Sequence, residues 1–175
     1  RFHPGARIAR SLTPPGLLEV ERVHEPRTDV TLARQLLSEA GLSRLSLVIA
    51  YPPDRDTRAE DQVLFAPLIE AGLVSLEHTE LREGYWEKLR DGRLGIFRGN
   101  WIADVADPDN FLHGLLNSKA QAYYRLDFQN AELDRVTEEA RVAIDPMSRQ
   151  QLYRRAEVLL REDCSLVPLY HQVFH

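Results

Sequence analysis

The sequence predicts an α/β fold in which a mostly parallel sheet is flanked by helices and is followed by a helical C-terminal part. Two patterns carry this prediction. Over residues 29–99, short apolar runs alternate with segments of helical spacing, an order typical of parallel strands joined by right-handed crossovers. Beyond residue 107, three N-cap signals each precede apolar residues at helical spacing. The length of 175 residues suits one domain, or a domain with a short appendage.

The first elements follow from turn residues and apolar spacing. Four prolines and Gly16 predict an extended lead-in over residues 1–28, anchored by Leu12 and Leu17-Leu18. A helix over Val30–Ala40 follows, with Asp29 as its N-cap and Gly41 as its stop. The elements after it are a strand over Leu45–Tyr51, a helix with a stripe at Val63, Leu64, Leu68 and Ala71, a strand over Leu73–Glu80, a short helix around Tyr85, Trp86 and Leu89, and a strand over Leu94–Gly99. Pro67 should either kink the helix that contains it or lie near a break.

Three helices are predicted after residue 107. Asp107, Asn130 and Asp145 are their N-caps, and proline follows two of these caps at the first helical position. A final strand is predicted over Leu166–Tyr170, where Pro168 favours an edge or an irregular pairing. Phe111, Leu112, Leu115 and Leu116 are expected to face the core. On the next two helices, apolar residues keep helical spacing at Leu133, Val136, Ala140 and Ala143, and at Leu152, Ala156, Leu159 and Leu160.

Composition argues against several classes of protein. The net charge of −5 makes nucleic acid an unexpected partner. Cys164 is the single cysteine, so an internal disulfide cannot form. No apolar run reaches the length of a membrane span, and no signal peptide opens the chain. Because the chain begins with Arg1 and stops soon after its last predicted strand, we expect a fragment of a longer protein.

The segment after the third predicted strand is the first place to look for a ligand site, because open parallel sheets bind ligands beyond the carboxyl ends of their strands. It reads Asn100-Trp101-Ile102-Ala103-Asp104. A carboxylate at Asp104 could bind a ligand ammonium group, and the Trp101 indole offers an apolar wall and a donor. The alternative, which spacing alone leaves open, is that Trp101 packs in the core and Asp104 caps a turn.

Other chemistry is weakly supported. The acids from Asp104 to Asp109 lack the glycine and the distal glutamate of a calcium loop. His171 and His175 are four residues apart but lack the glutamate of a zinc protease motif. The acidic neighbours Glu162 and Asp163 do not favour a reactive thiolate at Cys164. We predict no catalytic residues, no metal and no cofactor.

Six blocks in the order of this chain resemble the carboxyl-terminal lobe of extracytoplasmic solute-binding proteins of family 5, the oligopeptide/dipeptide/nickel type of ABC importers. The resemblance covers nearly the whole chain, and its most specific block is WIADVADPDNFL, Trp101–Leu112. The other blocks are ARSLTPPGLL at Ala9–Leu18, ARQLLSEAGL at Ala33–Leu42, DFQNAELDRVTEEAR at Asp127–Arg141, DPMSRQQLYRRAEVLLRED at Asp145–Asp163 and VPLYH at Val167–His171.

The resemblance implies a periplasmic-binding-protein-like lobe that binds ligand without catalysis. Residues 1–28 would be the lead-in from the crossing between lobes, and residues 29–175 the C-terminal lobe, with the N-terminal lobe absent. Asp104 would pair with the α-ammonium of a peptide, while Trp101, Ile102 and Asn100 would form its wall and hydrogen-bonding edge. The implied partners are a small peptide or similar solute, the missing N-terminal lobe and an ABC permease. The implied location is extracytoplasmic, in the periplasm or lipid-anchored on the outer face of the membrane.

Two other functions stay open at this point. The same fold could serve as a solute-sensing domain of a larger regulatory protein, and the segment preceding Arg1 would distinguish the two. An unrelated small enzyme would need a nucleophile or a base, which the sequence does not supply in any recognisable arrangement.

Overall fold

The computed structural model describes residues 5–19, 28–120 and 129–172. The chain forms two compact units: a sheet unit within Arg27–Gly99, and a helical unit that combines Phe2–Pro26 with Asn100–His175. The predicted lobe over residues 29–175 therefore spans both units, and its action as one lobe stays a prediction. The elements are β1 (Arg7–Ile8), α1 (Val30–Glu39), β2 (Leu45–Tyr51), α2 (Arg58–Glu70), β3 (Val74–Glu80), α3 (Tyr85–Arg90), β4 (Ile96–Phe97), α4 (Pro108–Leu116), α5 (Ala131–Val142), α6 (Pro146–Asp163) and β5 (Tyr170–His171).

The sheet unit contains three parallel strands in the order β3-β2-β4. Ile49 of the central strand lies opposite His78 of β3 and Ile96 of β4. Parallel strands connected through helices confirm the predicted α/β class. β4 is shorter than the predicted strand over Leu94–Gly99, because glycines at both ends of that stretch weaken strand pairing.

The first two helices differ from their predicted packing. The side chain of Asp29 caps α1 by accepting the Leu32 N–H at 2.9 Å, as expected, but no residue of this helix is buried. In α2 the buried residue is Asp61, whereas Val63 of the predicted apolar stripe is 71% exposed. Pro67 lies in the last turn of α2 and does not end the helix. Regular spacing therefore located both helices, but it did not predict that α1 buries no residue or that α2 buries Asp61.

The helical unit has a continuous apolar core formed by α4, α5 and α6. The three predicted N-caps are confirmed, since the side chains of Asp107, Asn130 and Asp145 each accept a backbone N–H of the following turn. Proline at the first position of α4 and α6 also favours the beginning of a helix there, because its fixed φ suits the first turn. The predicted core residues Leu112 and Leu116 are fully buried. On the two following apolar stripes, Leu133, Ala140, Ala156 and Leu160 are fully buried, whereas Ala143 and Leu152 are half-buried.

The lead-in is attached to the helical unit by a buried carboxylate. Glu157 of α6 accepts the backbone N–H groups of Leu12 at 3.0 Å and Thr13 at 2.8 Å. β1 also pairs antiparallel with β5, which replaces the strand predicted over Leu166–Tyr170. That strand begins later than predicted because Pro168 has no N–H to donate to a ladder.

Candidate functional site

The predicted ligand-binding segment, residues 100–104, lies in the loop over residues 100–107 of the helical unit. The loop ends where α4 begins, because Asp107 caps the helix by accepting the Asp109 N–H at 2.8 Å. α4 is a firm support, since Leu112 and Leu116 on its inner face are fully buried. A short loop joined to such a helix has little freedom at its carboxyl end.

Trp101 is partly buried, and its indole is bonded to α4. The Nε1–H group donates to Oδ1 of Asn110 at 2.9 Å, and Asn110 belongs to the first turn of the helix. An indole nitrogen carries one hydrogen and cannot accept. The donor that the sequence offered to a ligand is thus used within the helical unit.

Asp104 lies at the exposed middle of the loop. Across the described part of the chain, its carboxylate forms no hydrogen bond or ion pair. Ile102 is 64% exposed, and Asn100 is exposed as well. Among the residues that the structure describes, Asp104 therefore caps no turn or helix with its side chain, and its carboxylate is exposed.

The carboxyl end of the loop is fixed by a polar cluster. Nη2 of Arg149 on α6 donates to Oδ1 of Asp107 at 2.8 Å, and Nε donates to the carbonyl of Ala140 at 3.1 Å. The guanidinium carbon also lies 4.9 Å from the ring centroid of Tyr153, whose hydroxyl donates to Asp109 at 3.0 Å.

The same cluster sets the charge state of Asp107. Burial works to raise the pKa of this carboxyl, but the hydrogen bonds from Arg149 and from the Asp109 N–H outweigh it, so the pKa lies below its ordinary value. Burial raises the pKa of the Tyr153 hydroxyl, which therefore remains a neutral donor. The cap of α4 is thus charged and paired at neutral pH.

The sequence interpretation missed a cavity of about 350 Å³ in the sheet unit. Its lining includes Pro52 and Leu81, which directly follow β2 and β3, and Trp86 of α3, whose exposure is 45%. The signal for it was present, since the rule that ligands bind beyond the carboxyl ends of parallel strands applies to every strand of the sheet. The prediction applied that rule only to the third strand.

A buried acid in the sheet unit was also missed. Asp61 is 1% exposed, and its carboxylate accepts from Thr57 at 2.7 Å, from Nε of Arg98 at 2.7 Å and lies 3.0 Å from Nε2 of His78. Each carboxylate oxygen therefore has protein partners, and this group links α2 to β3 and to the end of β4. Helical spacing of apolar residues carries no information about such a network.

The other candidate groups have local roles. Nε2 of His171 lies 3.1 Å from the Ser11 carbonyl, and burial lowers the pKa of this imidazole. Cys164 is exposed and its thiol lies 3.0 Å from the Arg161 carbonyl. His175 is outside the described residues. Within the described ranges, no three His, Cys, Asp or Glu side chains converge as metal ligands, and no helix combines the length and apolarity that a membrane crossing requires.

Comparison with known proteins places the fold. A solved structure of a dipeptide-binding protein from Pseudoalteromonas sp. SM9913, in complex with Met-Leu, matches with a TM-score of 0.77 and 26% identity, over 97% of this chain and 35% of that one. The chain therefore has the architecture of a periplasmic-binding-protein lobe, as predicted. No family model matches the chain.

Curated relatives agree with the structural match. Heme-binding protein A of Haemophilus influenzae is 30% identical over 156 residues, covering 83% of this chain and 28% of that protein. Di/tripeptide-binding protein 4 of Pseudomonas aeruginosa is 29% identical over 99% of this chain and 34% of that protein. The periplasmic oligopeptide-binding protein OppA of Salmonella typhimurium is 26% identical over 81% of this chain and 26% of that protein.

The chain belongs to the extracytoplasmic solute-binding proteins of family 5. It spans about a third or less of the length of these curated relatives.

Proposed function

We propose that this chain is the C-terminal lobe of the substrate-binding component of an ABC importer. The whole protein captures a peptide, or a similar small solute, in a cleft between two lobes and delivers it to a membrane permease without chemical change. It acts outside the cytoplasm, in the periplasm or anchored to the outer face of the membrane by a lipid. The names of the relatives, which include di/tripeptide- and oligopeptide-binding proteins, support peptide as the ligand class.

The observation that carries this proposal is the exposed Asp104 carboxylate on a loop fixed at both ends. At 4 Å from a cation, such a charge is worth about 1 kcal/mol in bulk water, and about 4 kcal/mol at the lower effective dielectric near a protein surface. A second lobe that closes over the loop would exclude water and strengthen this attraction. We therefore assign the ligand α-ammonium to Asp104 and the adjacent ligand backbone to Trp101, Ile102 and Asn100.

The cavity of the sheet unit is a second surface that we assign to ligand binding. It follows the carboxyl ends of β2 and β3, where parallel-sheet proteins bind their ligands. Its lining combines the half-exposed Trp86 with Arg82 and Glu87, so it offers apolar contact and both signs of charge.

The decisive variant is Asp104→Asn in the full-length protein, which keeps the shape and removes the charge. A charge-assisted hydrogen bond contributes about 1.5–3 kcal/mol, so we expect affinity for a tripeptide with a free amino terminus to fall about 10- to 100-fold. The same tripeptide with an acetylated amino terminus should bind both proteins with equal affinity. Isothermal titration calorimetry measures both ligands.

Asp163→Asn is the matched control, because it removes an exposed carboxylate from the same unit, at the end of α6. It should leave affinity unchanged, and neither variant should shift the thermal midpoint. Unaltered affinity of Asp104→Asn for the free tripeptide would refute amine capture at this position. Heme binding that survives the substitution would instead favour the ligand in the name of the Haemophilus relative.

A further inference from the structure

The loop with the proposed ligand-binding residues is fixed by side-chain hydrogen bonds at two positions, Trp101 near its start and the helix cap Asp107 at its end. At the amino side, the Trp101 indole N–H donates to Asn110 at 2.9 Å. At the carboxyl side, Asp107 accepts from Arg149 at 2.8 Å. Asp104 lies between these two attachments, and Ile102 and Val105 beside it are 64% and 58% exposed. The middle of the loop is therefore solvent-exposed while its ends are fixed.

Asn110 is well placed to hold the indole. It lies in the first turn of α4, and its backbone N–H bonds to the Asp107 carbonyl at 3.2 Å. The neighbouring residues Phe111 and Leu112 are 6% and 0% exposed, so the helix turn that carries Asn110 is packed into the core of the helical unit. Since an indole N–H only donates, the Asn110 side chain must present its carbonyl oxygen to Trp101.

We propose that Asn110 is a positioning residue for ligand binding: it orients the Trp101 indole so that the ring, and not its N–H, meets the ligand. This inference rests on the proposed function. It deepens that function by assigning Trp101 to apolar contact with an extended ligand, without a hydrogen bond to it. The proposal also requires the side-chain oxygen of Asn110 as the acceptor, whereas a role in helix stability alone would not require an acceptor at this position.

The test compares two substitutions in the full-length protein. Asn110→Leu removes the acceptor, whereas Asn110→Asp keeps an acceptor oxygen in the first turn of α4, where an acid is favourable. We expect Asn110→Leu to lower the affinity for a free tripeptide about tenfold, as loss of one hydrogen bond that holds a binding residue predicts. Asn110→Asp should stay within about threefold of the unsubstituted protein. Calorimetry gives the affinities.

A double-mutant cycle with Trp101→Phe separates positioning from any other effect of residue 110. Phenylalanine has no N–H, so Asn110→Leu should cause no further loss of affinity in that background. An equal loss in both backgrounds would overturn the inference. In tryptophan-¹⁵N-labelled protein, the indole signal that Trp101→Phe removes should exchange faster with solvent in Asn110→Leu. An unchanged exchange rate would also overturn it.

Asp104→Asn is measured with the same tripeptide, so that the two failures can be told apart. Loss of affinity in Asp104→Asn with full affinity in Asn110→Leu would overturn only the role of Asn110. Full affinity in Asp104→Asn with a loss in Asn110→Leu would overturn amine capture and leave the positioning role standing. If Asn110→Leu lowers the thermal midpoint, Asn110→Ala, which suits a helix better, replaces it in the same cycle.

Discussion

The two units of this chain use similar helical patterns with different results. Every helix of the helical unit buries apolar side chains, and Leu133 and Leu160 are fully buried. In the sheet unit, α1 has no buried residue, and its leucines Leu32 and Leu36 are 47% and 54% exposed. Apolar residues at helical spacing thus identify a helix, while the strength of its attachment depends on what the fold places against that face.

Among the described residues, each unit also has one buried carboxylate, and the two are stabilised by different partners. Asp61 of the sheet unit is paired with the Arg98 guanidinium at 2.6 Å. Glu157 of the helical unit is bonded to the backbone N–H groups of Leu12 and Thr13. Burial raises the pKa of Glu157, and these backbone hydrogen bonds only partly offset that effect. The stability of the helical unit should therefore respond to pH through Glu157.

The largest expected effect contrasts the two kinds of leucine. Leu160→Ala removes a fully buried side chain, so the free energy of unfolding of the helical unit should fall by about 3 kcal/mol. Leu36→Ala on α1 should change the free energy of unfolding by less than about 0.5 kcal/mol, because more than half of this side chain is already exposed. Urea denaturation measures both.

The two tryptophans allow each unit to be followed separately. Trp86 lies in the sheet unit and Trp101 in the helical unit, and the chain contains no others. In Trp86→Phe, fluorescence reports on Trp101 and should reveal the loss caused by Leu160→Ala. Equal losses for Leu160→Ala and Leu36→Ala would show that the contrast between the units is wrong.

A smaller effect is expected at Glu157. Glutamine at this position keeps one acceptor oxygen and opposes one backbone N–H with its amide, so Glu157→Gln should cost about 1–2 kcal/mol. The native state binds the Glu157 proton more tightly than the unfolded chain does, because the pKa is raised on folding. The contribution of Glu157 to the free energy of unfolding is therefore largest below the pKa that this carboxyl has in the unfolded chain. It declines as pH rises through the raised pKa of the native state.

The difference in the free energy of unfolding between the unsubstituted chain and Glu157→Gln should itself depend on pH, and measuring this dependence is the sharper test. The stability advantage of the unsubstituted chain over Glu157→Gln should be larger at about pH 5 than at pH 7, as followed by urea midpoints with Trp101 fluorescence. An advantage that is the same at both pH values, or that grows toward pH 7, would contradict the raised pKa.

The smallest effect is expected at an exposed ion pair of the sheet unit. Side-chain hydrogen bonds from Arg58 lower the pKa of Asp56 to about 2, yet both side chains are solvent-exposed. Water and salt screen such pairs, so Asp56→Asn should leave the thermal midpoint unchanged within error. An NMR titration should still report the low pKa. A clear drop in the midpoint would show that this surface pair stabilises the sheet unit.

Much of the fold and part of the candidate site were predictable from local signals. The caps at Asp29, Asp107, Asn130 and Asp145 and the left-handed stop at Gly41 act within about four residues, so the sequence displays them directly. Asp104 lies in an exposed loop, and its role in ligand binding stays a prediction. The partner of Trp101 was not predicted, because no spacing rule connects an indole to a residue nine positions away across a helix start.

By itself, the sequence determined the alternation of strands and helices and the beginnings of the helices, since each depends on contacts between near neighbours in the chain. Only the tertiary structure decided that Glu157 holds the lead-in across 144 residues, that Asp61 is buried while Val63 is exposed, and that Asn110 takes the indole N–H. Burial and polar pairing of this kind depend on which segments, distant in the sequence, come into contact in the fold. Local periodicity does not predict those contacts.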